Sequence, residues 1–158
     1  MEIERKWAMQ KEPPLPPRCR LRVEQSYLSL SPEVRVRRYE DLGSRELRYD
    51  LTIKSEGTIA REEIIKDLTE EEYRVLAAMA GGEPIVKEYY NYDYQGRVLE
   101  FSVVDPGRQS GFTYAEVEFP TLEEAQAFQA PDWFGEETTH KPGARMKEYW
   151  RQTRLEGR

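Results

Sequence analysis

The chain has 158 residues, 38% apolar and 34% charged, and carries a formal net charge of −6, which suits one domain over 1–158 with one core and argues against nucleic-acid binding. A single cysteine, Cys19, and a single histidine, His140, exclude an internal disulfide, a thiolate zinc site and a multi-histidine centre, so any metal site must use carboxylates and a hard ion. No apolar run is long enough to span a membrane and no signal-peptide core is present, so a cytoplasmic protein without a membrane partner is expected.

The opening stretch, MEIERKW, is expected to be a strand with Glu2, Glu4 and Lys6 on one face and Ile3, Arg5 and Trp7 on the other. The Pro-rich KEPPLPP at 11–17 is a connection. Strands are expected over 19–30 and 33–40, joined by a tight turn at Ser31-Pro32, then over 45–55 and 58–68, split by Glu56-Gly57. A helix over 69–80 opens with the capping pair Thr69 and Glu72 and ends at Gly81-Gly82. Strands over 84–94 and 97–105 flank Gln95-Gly96, and a last strand covers 111–119. A second capped helix spans 121–130, and a third covers roughly 143–155, with Met146, Tyr149 and Trp150 apolar.

Almost every strand carries one charged and one apolar face. Arg35 and Arg37 oppose Val34 and Val36; Asp50, Thr52 and Lys54 oppose Leu51 and Ile53; Arg61 shares a face with Glu63; Lys87 shares one with Tyr89; Glu116 and Glu118 oppose Ala115 and Val117. Two architectures satisfy this pattern. One is an open sheet with a wet charged face. The other is a barrel with its charges turned inward and its apolar outside covered by helices. About eight strands are enough to close a barrel. The charges also segregate into acid pairs and basic positions, which favours the inward arrangement. Paired acids roughly 6.6 Å apart along a strand suit divalent ions, and arginine and lysine suit phosphate oxygens. The expected fold class is therefore α+β, mainly β, a closed antiparallel eight-stranded barrel with flanking helices. The chemistry is metal-assisted phosphoryl transfer.

The stretch EIERK resembles the Glu-x-Glu-x-Lys signature of the CYTH superfamily, the triphosphate tunnel metalloenzymes. EQSYLS (24–29), VRVR (34–37), LTIK (51–54), REE (61–63), VK (86–87), AEVEF (115–119) and PDWFGEETT (131–139) then follow in that family's order. The resemblance covers nearly the whole chain and is nearest to the short bacterial tripolyphosphatases. It implies hydrolysis of a linear triphosphate, inorganic tripolyphosphate first, with Mg²⁺ or Mn²⁺ as cofactor. Alternatives within it are thiamine triphosphatase, class IV adenylate cyclase, or a tunnel that binds without turnover. It further implies metal ligation by Glu2, Glu4, Glu118, Glu116 and Glu63, and phosphate contacts from Lys6, Arg35, Arg37, Lys54, Arg61 and Lys87. Lys6, Glu116 and Arg37 would serve catalysis, and Glu137 matches the acid of a C-terminal Glu-x-Thr. Removing Arg37 is expected to abolish stabilisation by triphosphate and to relieve like-charge repulsion in the empty protein. Three positions depart from the family pattern: Tyr89 replaces an arginine, Ser102 an aspartate and Ile65 an acid. One base and one acid lost together would form a compensated pair. Both monomer and homodimer are compatible with the sequence.

Overall fold

Strand pairing runs through the whole chain in one antiparallel sheet. A computed structural model describes residues 1–156, with strands β1 (Glu2–Ala8), β2 (Cys19–Leu30), β3 (Glu33–Asp41), β4 (Leu47–Lys54), β5 (Ala60–Arg61), β6 (Glu63–Asp67), β7 (Ile85–Tyr94), β8 (Arg97–Val104) and β9 (Phe112–Glu118). The sheet order is β5-β1-β9-β8-β7-β2-β3-β4-β6. Its two end strands are one stretch of chain interrupted only at Glu62. The Glu62 carbonyl accepts from the Ser55 N–H (3.0 Å), and the Ile59 carbonyl accepts from the Glu4 N–H (3.0 Å), so the sheet closes on itself as a barrel. The expected strand over 58–68 is therefore two segments, which pair with opposite neighbours, β1 and β4.

Turn chemistry sets the register. Gln95 and Gly96 both take positive φ (50° and 73°), the conformation that a two-residue hairpin turn needs between β7 and β8. Ser31-Pro32 is a cis peptide at the β2–β3 turn.

The barrel is polar inside and apolar outside. On β4, Thr52 is 0% exposed and Lys54 4%, whereas Ile64, on the outward face of β6, is 54% exposed. Three helical elements cover the outer surface and one end. Helix α1 (Glu70–Ala78) has the reciprocal Thr69–Glu72 cap and lays Tyr73 against Tyr49 of β4. Helix α2 (Leu122–Ala127), with Phe128 and Phe134, buries the outward row Ile3, Trp7, Ala115, Val117, Leu99 and Phe101. Thr121 caps α2 by accepting from the Glu124 N–H. The expected third helix is broken into a 3₁₀ turn (Pro142–Ala144), helix α3 (Met146–Trp150) and a π-helical turn (Arg151–Glu156). Met146, Tyr149 and Trp150 pack on Tyr27, Ile85, Val104 and Tyr114, which point into the barrel, so this segment fills one end. No helix among the described residues is long and apolar enough to cross a membrane.

Candidate active site: a charged tunnel

The barrel interior is a cavity of about 310 Å³. All five glutamates and all six basic residues expected from the sequence line it: Glu2, Glu4, Glu63, Glu116 and Glu118, with Lys6, Arg35, Arg37, Lys54, Arg61 and Lys87. They meet because each sits on the inward parity of its strand, and the register aligns Glu2 with Arg61, Glu4 with Glu118, Lys6 with Glu116, and Lys54 with Glu63 and Glu33.

The acids form two carboxyl pairs. Glu4 hydrogen-bonds Glu116. Burial and the Glu116 charge push the Glu4 carboxyl well above its ordinary range. Burial also raises Glu116, but the Lys6 ammonium, the Glu4 hydrogen bond, Lys87 and Lys54 outweigh it and bring Glu116 down to about 2. Glu2 and Glu63 repeat the arrangement. Lys54 Nζ lies 3.0 Å from Glu2 and 3.4 Å from Glu63. Burial raises Glu2, yet the Lys54 charge holds it low, while burial and Glu2 hold Glu63 high. Each pair thus favours a shared proton. Crowded, buried acids that offer only oxygen donors fit a hard divalent ion. Among the described residues no three acids, histidines or cysteines already stand in metal-binding geometry, so the side chains must converge on the ion.

The cations divide into two sets. Lys54 and Arg61 are paired with Glu2, Glu63 and Glu33, and Arg37 makes a two-toothed contact with Asp50 (3.1 and 3.2 Å). Lys6, Arg35 and Lys87 have no carboxylate within 4 Å among the described residues. The Arg35 Nε is buried without a hydrogen-bond partner. Burial and Arg35 depress Lys87 to about 7, and Lys87 Nζ sits 2.9 Å from the Tyr114 hydroxyl.

Over 92 residues the chain is 35% identical to the inorganic triphosphatase of Nitrosomonas europaea, in a match that takes in 58% of this chain and 60% of that protein. The chain therefore matches less than two thirds of that relative's length. The solved structure of the inorganic triphosphatase NE1496 covers 94% of this chain and 93% of its own, at 27% identity and a TM-score of 0.64. The chain shares its fold and part of its sequence with these inorganic triphosphatases. The PH1819 protein of Pyrococcus horikoshii shares the fold at a TM-score of 0.58 and 18% identity, covering 80% and 81% of the two chains. No family model matches the chain.

The tunnel contains residues that the sequence did not single out. Glu33 approaches Arg61, Asp50 holds Arg37, and Glu100 faces Glu116 across β8 and β9. Burial and the Glu116 charge push Glu100 up to about 7, against the hydrogen bond from Tyr89. Glu100 has the same parity as Ser102 on β8, which was the signal available for it. Glu137 does not line the tunnel: it is held outside by Arg5 Nε and Nη2 (2.8 and 2.7 Å) and the Thr139 hydroxyl (2.6 Å). Arg37 is not a free cation, because Asp50 neutralises it. The strand of four tyrosines divides by parity. Tyr89 faces the tunnel, and Tyr92, with Tyr90 and Tyr94, packs in the outer core.

Proposed function

We propose that this protein hydrolyses a linear triphosphate inside its tunnel, inorganic tripolyphosphate above others, with Mg²⁺ or Mn²⁺ as cofactor. The observation that carries the reading is the trio Lys6, Arg35 and Lys87, enclosed cations with no carboxylate within 4 Å among the described residues, in a cavity that glutamates also line. Buried unpaired cations are costly, and a chain of phosphates is the anion that would repay them. A terminal phosphate accepts from the Arg35 fork and the two ammonium groups, while Arg61, Lys54 and Arg37 flank it. Glu2, Glu4, Glu63, Glu116 and Glu118 would hold the ion. When bound, the ion supplies Lewis acidity at a phosphoryl oxygen and lowers the pKa of a water. Glu116, kept ionised by Lys6, would orient the attacking water by accepting its hydrogen bond, and Lys6 and Arg37 would meet charge on the transferred phosphoryl group. Every one of these side chains comes from one chain and one tunnel domain, which suits either a monomer or a homodimer. The unpaired Cys19 suits the cytoplasm.

The reading is tested by calorimetric titration of tripolyphosphate, with Mg²⁺ present, into the wild type and Arg35→Met. Losing charged hydrogen bonds should weaken binding by about 10- to 100-fold. Equal binding by the variant would overturn it.

A further inference from the structure

At the end of the tunnel that the C-terminal segment fills, a backbone group of that segment reaches a tunnel cation. Lys6 Nζ donates to the Ala144 carbonyl at 2.6 Å and lies 4.1 Å from the centroid of the Tyr114 ring. An ammonium has three donors, so this bond aims the other two. Ala144 sits in the 3₁₀ turn that leads into the C-terminal segment, which is held by the packing of Met146, Tyr149 and Trp150 and, at its far end, by Arg154.

Arg154 occupies a socket assembled from distant parts of the chain. Its Nη1 and Nη2 bind the two carboxylate oxygens of Asp105 at 2.6 and 3.0 Å. Its Nε donates to the Glu83 carbonyl (3.1 Å) and its Nη2 also to the Pro84 carbonyl (2.9 Å). Asp105, just past β8 with φ of 45°, further accepts from the Val86 N–H (3.0 Å) and the Tyr149 hydroxyl (2.5 Å). Gly82 gives way to the arginine stem: a Cβ there would lie 2.7 Å from Arg154 Cβ and 2.8 Å from its Cγ. Both partners of the ion pair are about 2% exposed. Such a pair adds little net stability over an apolar equivalent, but it fixes geometry. Nothing in the proposed phosphate chemistry uses it.

We propose that Arg154 is a positioning residue for Lys6. Its latch on Asp105 sets how the C-terminal segment seats in the barrel, and through the Ala144 carbonyl it sets where the Lys6 ammonium points. The proposal rests on the reading of Lys6 as a phosphate contact.

Arg154→Met and Gly82→Ala test it independently. The first removes the charge and leaves Asp105 buried without its partner, and the second keeps every charge and displaces the arginine stem. Two readouts are needed, both on protein that still melts cooperatively. One is the rate of Lys6 labelling by an amine-reactive reagent, read by mass spectrometry, which needs no activity. The other is kcat and KM for tripolyphosphate, in the wild-type and Lys6→Met backgrounds. The latch predicts labelling faster by at least about fivefold in Gly82→Ala, and in Arg154→Met if it folds, as local opening frees the lysine. It predicts a fall in kcat with KM little changed, and no further fall when Lys6→Met is already present. Unchanged labelling, or kcat losses that multiply with that of Lys6→Met, would overturn it. Faster labelling in a protein that never turns over tripolyphosphate would uphold the latch and sink the triphosphatase reading instead.

Discussion

Tyr89 and Ser102 are direct partners across β7 and β8. Of the three positions that depart from the pattern the sequence resembles, Tyr89 stands for a base and Ser102 for an acid, so these two fall on one cross-strand pair. Tyr89 also hydrogen-bonds Glu100, and burial with the Glu100 charge raises its hydroxyl far above the ordinary range. Tyr89 and Ser102 are both uncharged, so this cross-strand pair adds no lone charge to the wall. Ser102→Asp alone should therefore destabilise the protein by about 1–3 kcal/mol, because a buried carboxylate gains no partner. Adding Tyr89→Arg should recover most of that loss. Urea denaturation of both single variants and the double variant gives the coupling, and additive effects would show that the two sites do not compensate each other.

Arg37 and Arg35 should behave differently when removed, although they alternate along one strand. Arg37 neutralises Asp50, which is 1% exposed. Arg37→Ala leaves that carboxylate alone and should cost about 3–5 kcal/mol, rather than relieving repulsion as the sequence suggested. Arg35 has no such partner, so Arg35→Met should leave the melting temperature of the empty protein unchanged or raise it. Thermal melts without ligand separate the two, and equal destabilisation by both would contradict the assignment.

Glu100 and Lys87 both titrate near neutrality and with opposite linkage. Glu100 has its pKa raised from 4.5 to about 7, so the folded state holds a proton that the unfolded state has released. Its contribution is complete below pH 4.5 and is lost as pH rises to 7. Lys87 has its pKa lowered from 10.5 to about 7, so the unfolded state binds the extra proton between those values and stability rises with pH there. Glu100→Gln should flatten the fall between pH 4.5 and 7 by on the order of 2–3 kcal/mol. Denaturant titrations of wild type and variant at pH 5 and pH 7 measure it, and parallel curves would show that Glu100 titrates normally.

Glu137 serves the outside of the barrel. With Arg5, which also donates to the Ala125 and Phe128 carbonyls, it ties the end of α2 to β1. Glu137→Ala should lower stability by about 1–3 kcal/mol and leave the affinity for tripolyphosphate unaltered. A large loss of affinity without a loss of stability would return Glu137 to the site.

The inward charges were legible because a strand repeats every two residues and an ordinary strand seldom places Glu116 beside Glu118, or Arg35 beside Arg37, on one face. Their pairing was not legible. Asp50 was visible on the charged face of its strand, but only the register shows that it meets Arg37 rather than a ligand. Glu33 was expected to open its strand, but only the register shows that it stands beside Lys54 and approaches Arg61. The break at Glu62, which lets one stretch close both ends of the sheet, depends on hydrogen bonds to Ile59 and Ser55 that no local pattern encodes. The C-terminal segment read as one amphipathic helix because Met146, Tyr149 and Trp150 are spaced like one. That they fill the barrel rather than cover it depends on the inward parity of Tyr27, Val104 and Tyr114.

The paired glutamates and the cations without carboxylate partners are proposed to make a metal-dependent triphosphatase. Phosphate release from tripolyphosphate, with Mg²⁺ and with Mn²⁺, in the wild type and in Glu4→Ala, tests it most directly. The account predicts release by the wild type with at least one ion, none without an ion, and none from Glu4→Ala. Release undiminished in the variant, or absent from the wild type with both ions, would contradict it.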